Sequence, residues 1–215
     1  MSVFYKGDLL GEFETRVKPG IISAFNEPVN RGDVFFRKDS KTVVKTTHAR
    51  EALNFEVAHA KGVGVPVKVT PKNIYFVEME KLELTLKQYV DLLKASEEDT
   101  AASWHDLDAH LADLLTRLVE KETCHTDLSE NNIMLNRKVV WTTRPDPWDP
   151  SADPLISEHT VNLIETITTI DWGLDADASN SCDSTSRMFV LLLQYLERET
   201  LQPLLPAVYK TTVEK

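Results

Sequence analysis

The order of hydrophobic patterns predicts an α+β fold of two lobes: a small mixed sheet crossed by one helix, then a mainly helical half. Three observations carry this reading. Short runs rich in β-branched and aromatic residues fill the first part of the chain, amphipathic helical spacing takes over from Leu84, and a polar cluster, HTDLSENNIML at 125–135, runs straight into apolar residues. At 215 residues the chain is long enough to bury a sizeable core as one domain of two lobes, or as two small domains.

The elements follow in order. GIISAF (20–25), DVFFRKD (33–39) and KTVVKTT (41–47) read as strands, separated by the turn-like NEPVNRG and by Asp39-Ser40. Thr47 is placed to cap a helix over HAREALNFEVAHAKG, where Leu53, Val57 and Ala60 recur at helical spacing and Gly62 marks the end. VPVKVT and NIYFVEME return to strand character. LTLKQYVDLLK and HDLDAHLADLLTRLVEK are amphipathic helices, the second with Leu107, Leu111, Leu114, Leu115 and Leu118 as its apolar positions. The polar cluster and a short strand come next. RPDPWDPSADP (144–154), dense in Pro and Asp, predicts an irregular loop. VNLIETITTIDWG is a strand ending in a turn, and SRMFVLLLQYLERE is an apolar helix. These assignments place the first lobe at residues 1–80, the connector at 78–84 and the second lobe at 84–215.

Composition narrows the function classes. Net charge is -10, unevenly spread: residues 1–94 carry 15 Lys/Arg against 12 Asp/Glu, and residues 95–215 carry 9 against 22. So acidic a second half argues against duplex nucleic acid as the main partner, because phosphate contacts need clustered cations. Cys124 and Cys182 make no disulfide framework, no signal-peptide core opens the chain, and no apolar run reaches the length of a membrane span. The expectation is a soluble, cytoplasmic protein with no membrane partner.

Taken alone, the polar cluster is also compatible with a capped turn around a buried histidine. Its spacing, H-x-D-x-x-x-x-N after a long helix and before a strand, resembles the catalytic loop of protein kinases and their relatives. Other signatures of that superfamily stand in the same order along this chain. Lys45 in TVVKT resembles the strand lysine, and Glu56 in NFEVAHA, with Glu51 as second choice, resembles the helix glutamate that pairs with it. FVEMEKLELTL resembles the last strand and hinge, with Glu78, Met79 and Glu80 through Leu82 beside the adenine. Asp171-Trp172-Gly173 is similar to Asp-Phe-Gly. HTDLSENNIML looks especially like the loops of the RIO kinases and of the small kinase of the KEOPS tRNA-modification complex.

The resemblance implies a bilobal protein-kinase-like domain over 1–215, its N-lobe a small antiparallel sheet and its C-lobe mainly helical, that binds ATP and Mg²⁺, with Mn²⁺ as the alternative ion. Lys45 would neutralise phosphate charge, Asn132 and Asp171 would ligate the metal, and Asp127 would orient or deprotonate an acceptor hydroxyl. His125 would be scaffold, packing the loop against the Asp-Trp-Gly turn. Asp183 resembles the aspartate that opens the large helix of the second lobe, and plain N-capping explains it equally well.

Three departures qualify the pattern. No G-x-G-x-x-G precedes Lys45, so Arg31 or the turn at Gly32 stands in as phosphate contact. Ser129 occupies the place of a lysine that touches the γ-phosphate in many protein kinases. Asp183 follows Asp171 by 12 positions, which predicts a truncated C-lobe as in some viral or bacterial effector kinases, with host proteins as substrates and host cytoplasm or nucleus as location. The RIO resemblance is local to the loop, since RIO kinases do not carry Asp-Trp-Gly and this chain has no recognisable RIO phosphate loop. The leading function is a Ser/Thr protein kinase. The alternatives are a RIO-like ATPase/kinase switch, a small-molecule kinase of the aminoglycoside or choline kinase type, and a nucleotide-binding pseudokinase.

Overall fold

The computed structural model describes residues 13–15, 34–37, 42–71, 75–121, 123, 125, 127–145, 154–172, 190–194 and 196–197. The strand expected at GIISAF, together with Arg31, Gly32, Cys124, Gly173, Cys182 and Asp183, lies outside these residues. Strands β1 (Phe13–Thr15), β2 (Val34–Arg37), β3 (Thr42–Thr47), β4 (Val67–Thr70) and β5 (Tyr75–Glu80) form a sheet in the order β1-β2-β3-β5-β4. Every neighbouring pair is antiparallel.

Helix α1 (Ala49–Ala60) connects β3 to β4, and two details differ from expectation. Thr47 is still strand; the N-cap is His48, whose Nδ1 accepts the Glu51 N–H at 3.1 Å. The buried side is Ala52, Phe55 and Ala58 with Asn54, while Leu53 is 56% exposed and Ala60 is exposed. Both sets have helical spacing, so periodicity alone cannot choose between them. The two alanines allow the helix to sit close to the sheet around one large side chain, Phe55. The helix ends as expected at Gly62, which adopts φ +72, a left-handed conformation that glycine takes without steric cost.

Gly64 then passes through a tight gap. A Cβ there would lie 2.9 Å from Ala58 Cβ and 3.0 Å from Trp172 Nε1. The close approach lets Gly64 bridge to Thr169, while Val63 O accepts from the hydroxyls of Thr168 (3.2 Å) and Thr169 (2.9 Å). The turn after α1 is thereby joined to the far end of the chain's last long strand.

Strand β6 (Leu84–Thr85) leads into α2 (Leu86–Ala95), opened by a reciprocal capping box between Thr85 and Gln88. Helix α3 (Ala101–Glu120) buries all five leucines of its predicted apolar face. Arg117 on α3 donates to Gly62 O (3.2 Å) and Ile167 O (3.3 Å), tying the helix to both lobes' ends of the junction. Among the described residues no helix is long and apolar enough to cross a membrane.

The expected short strand after the polar cluster is instead β7 (Ile133–Arg144), paired with β8 (Leu155–Thr169) in a long hairpin. Only the centre of RPDPWDPSADP, residues 146–153, lies outside the described residues; Arg144 and Leu155 already pair across its base. The β-branched and aromatic residues of VVWTT, with Ile156 and Thr160 opposite, favour an extended ribbon, and both strands continue beyond the apolar anchors Ile133, Leu135, Ile164 and Ile167. The register shifts at Asn136/Arg137 and Arg137/Val139, which bends the outer ribbon relative to its buried base.

The tight gap at Gly64 gives a direct test. Gly64→Ala should destabilise the fold by about 1–3 kcal/mol in chemical denaturation, because neither Ala58 nor the Trp172 ring can retreat from the added methyl freely. An unchanged midpoint would show that the gap is looser than the geometry indicates.

Candidate active site

The loop after α3 turns back through His125, whose side chain is fully buried. Its Nε2–H donates to Ile170 O at 2.7 Å, its Nδ1 accepts the Asp127 N–H at 3.3 Å, and its ring lies 4.6 Å from that of Trp172. Those bonds define one neutral tautomer. Burial holds the His125 pKa below the usual histidine range, outweighing the Ile170 carbonyl and the Asp127 and Asp171 carboxylates, which pull the other way. The histidine thus fastens the polar loop to the end of β8, the scaffold role the sequence predicts.

The same loop presents Asp127 and Asn132. Asn132 Nδ2 donates to Asp127 O (2.8 Å) and Asp127 Oδ2 (3.0 Å), so its amide oxygen is the donor left for a cation. The Ile170 N–H donates to Asn132 O at 2.8 Å, which sets the residue after Ile170, Asp171, beside the loop. Asp171 has φ 58. Its carboxylate receives a hydrogen bond from Lys45 on β3, and the Lys45 ammonium also pairs with Glu51 at 2.7 Å.

Glu51, not Glu56, is the partner of Lys45. Glu51 lies one helical turn before Phe55, on the side of α1 that faces the sheet, and Thr47 donates to its other oxygen. Glu56 is five positions further along, about 140° around the helix axis, and is exposed. Lys45 is 17% exposed and sits 5.7 Å above the Phe55 ring. Burial alone would push its pKa down; the hydrogen-bonded Asp171 and Glu51 carboxylates more than offset this and hold it above the usual lysine range.

These groups open onto a cleft of about 500 Å³, a size that suits a nucleotide-sized ligand. Its walls include Val43, Lys45, Met79, Glu80, Lys81 and Leu82 from the sheet side, and Asn132, Met134, Ile170 and Asp171 from the other. Met79, Glu80 and Leu82 therefore stand where the hinge was expected. Glu78 does not line the cleft: it pairs with Val44, whereas Met79 pairs with the cleft-lining Val43, and successive residues of a strand face opposite ways.

Sequence reasoning missed Glu83, Thr85 and Gln88, which also line the cleft. The pattern Thr85-x-x-Gln88 was a readable capping signal. Glu83 carried no local signal, because its partner is remote. Arg137 Nε donates to Glu83 Oε1 at 2.9 Å and its backbone N–H to Oε2 at 3.0 Å, so Arg137 holds the Glu83 carboxyl below the usual range.

Asp171 and Asn132 both line the cleft and bring oxygen atoms of the kind a divalent cation takes. Among the described residues no group of three His, Cys, Asp or Glu side chains could hold a metal by itself. One carboxylate and one amide oxygen match a hard ion that completes its shell with phosphate oxygens and water.

A family model for the RIO domain matches residues 27–143, more than half of the chain. The RIO likeness is therefore not confined to the loop: it runs from before β2 into the outer part of β7. It stops short of Asp171. No curated protein matches the chain.

The neutral His125 predicts a pH dependence. The unfolded chain takes up the histidine proton first as pH falls through about 6.5, so stability is full above that value and declines below it, down to the lowered folded pKa. In thermal melts the loss between pH 7 and 5.5 should be visibly smaller in His125→Gln, whose overall stability is lower. Parallel pH slopes in the two proteins would refute the assignment.

Proposed function

The chain belongs to the RIO-domain family, and on that premise we propose that it is a Ser/Thr-type protein kinase transferring the γ-phosphate of Mg²⁺-ATP to a protein hydroxyl. Family membership by itself implies an atypical kinase or ATPase that uses ATP with a divalent metal ion. The finer reading rests on one observation: Lys45, Glu51 and Asp171, from β3, α1 and the end of β8, meet at a cleft that Asn132 also lines, with Asp127 bonded to Asn132 at its rim. We take residues 1–215 as one domain, with the connector between lobes at 78–84.

Each residue then has a chemical task. Lys45, oriented by Glu51, places a fixed cation against the phosphates. Asp171 and Asn132 hold the metal ion, which neutralises charge on the phosphates when bound; Mn²⁺ is the alternative. Exposed Asp127 accepts the proton of the acceptor hydroxyl as its oxygen bonds to phosphorus, while the bond to the ADP oxygen breaks. Apolar Val43, Met79, Leu82 and Met134 supply faces for the base. The acceptor is a protein, a host protein if the chain is a delivered effector, and the site of action is the cytoplasm.

A RIO-type ATPase is the second reading, favoured by the family match and by Ser129, which brings no cation to the transferring phosphate. Labelled ATP with Mg²⁺ and a basic protein substrate separates the two. Asp171→Asn and Lys45→Met should each reduce transfer by ~100-fold or more, because both act on charge developing at the phosphates. Glu51→Gln should cost ~10-fold or more, and Glu56→Gln less than ~2-fold. Equal transfer by wild type and Asp171→Asn defeats the kinase reading, whereas ADP release that ignores the acceptor selects the ATPase.

A further inference from the structure

The outer half of the β7–β8 ribbon is built unlike anything the cleft requires. From Lys138 to Pro145 every residue is exposed, and so are Leu155, Ile156 and Glu158 to Thr160 opposite. In the register, Val139 faces Thr160, Trp141 faces Glu158 and Thr143 faces Ile156 on one side of the ribbon. That side carries Trp141 and Ile156, each 65% exposed, and Val139 at 43%. The reverse side is mixed: Thr142 Oγ1 lies 3.0 Å from Ser157 Oγ and Ser157 Oγ 2.9 Å from His159 Nε2, with Val140 and Leu155 less exposed, at 36% and 40%, than Trp141 and Ile156.

β7 is also an open edge. In the order β6-β7-β8, β6 pairs only with Leu135 and Met134, so from Lys138 onward β7 has no strand on its outer side among the described residues. Such an edge presents unpaired N–H and C=O groups in an order that another extended chain can match. Natural edges are commonly blocked by charge or proline. Here the central run, Val139 to Thr143, has neither.

Charge identifies the occupant. The chain has net charge -10, yet the segment RKVVWTTR at 137–144 has three Lys/Arg and no Asp/Glu. Arg137 is engaged by Glu83, which leaves Lys138 and Arg144 at the two ends of the uncharged run. A second copy of the ribbon in antiparallel register about Trp141 would set Lys138 against Arg144, a repulsive pairing. Nucleic acid is disfavoured by the overall negative charge.

We propose that residues 138–144 form a docking strand for an extended segment of a partner protein, apolar at its centre and acidic at both ends, which adds to the free edge of β7 and covers Trp141. Main-chain hydrogen bonds supply the pairing, Trp141 and Val139 on β7 itself the apolar contact, and Lys138 and Arg144 the register. No described residue between 138 and 160 lines the cleft, so this surface stands or falls independently of the nucleotide reading.

Hydrogen exchange on the full chain tests the proposal, using the peptide Asp-Asp-Val-Thr-Val-Thr-Val-Asp-Asp and a version with Lys in place of Asp. The acidic peptide should slow exchange at amides within 138–144 and bind at least ~10-fold more tightly than the basic one. The double variant Lys138→Glu/Arg144→Glu should remove that preference, and Trp141→Ser should weaken binding of both peptides. Equal affinity of the two peptides for the native chain overturns the proposal. So does protection of 138–144 that rises with protein concentration alone, which would assign the edge to a second copy. Protection by a single-stranded RNA oligomer in place of the peptide overturns it as well.

Discussion

The ammonium group of Lys45 lies between two carboxylates that reach it from opposite directions, Glu51 from the first turn of α1 and Asp171 from the end of β8. The three groups sum to one negative charge. A mostly buried cation is tolerated only when its neighbours compensate the lost hydration, and two carboxylates do so here with hydrogen bonds as well as charge. Removing one member leaves the others short of a partner. Strand β3, the first turn of α1 and the end of β8 therefore meet at the same contact. The surplus negative charge, increased by Asp127 at the rim, also makes the cleft receptive to a hard cation before any phosphate arrives.

How much of this was legible depended on whether the signal was local. The leucines of α3, the strand runs at 42–47 and 75–80, and the spacing from His125 to Asn132 are patterns within one element, and the structure contains each of them. Glu51 was ranked below Glu56 because the sequence shows helical spacing without the phase of the helix. That phase is set by Phe55 and two alanines meeting the sheet. His48 displaced Thr47 as the cap for a related reason: β3 continues through Thr47, where pairing with Tyr75 holds it in the sheet. The long hairpin was missed because its outer half buries almost nothing. Its strands are held by each other, without the apolar/polar alternation that marks a half-buried strand, and the prolines of the connecting segment obscured how far each strand continues.

The base of the hairpin shows how a register irregularity is accommodated. Where the strands fall out of step, the backbone groups released from the ladder find side chains: the Ile164 N–H donates to Asp106 Oδ2 at 2.6 Å, and Asn162 O accepts from the Tyr89 hydroxyl at 2.8 Å. Burial and the nearby Asp106 carboxylate push the Tyr89 pKa up to about 12, so the hydroxyl stays a donor. Asn162 Oδ1 in turn accepts from Arg137 at 2.9 Å, and Arg137 clamps Glu83 at the cleft. A chain of polar contacts thus runs from α2 and α3 through the bulge to the connector between the sheet and the helices.

Asp171 occupies a left-handed backbone position, φ 58, that most residues enter at a cost of roughly 1 kcal/mol or more, with glycine, asparagine and aspartate as the exceptions. The residue that carries the charge is thus also one of the few that suit the turn. For a lineage losing catalysis, this separates two kinds of drift. Replacement by Asn or Gly silences the carboxylate and keeps the turn, so His125, Ile170 and Trp172 stay packed. Replacement by a branched or bulky side chain removes charge and fold together. A descendant retained only for binding would accordingly be recognised by Asn or Gly at this position, with the buried histidine beside it unchanged.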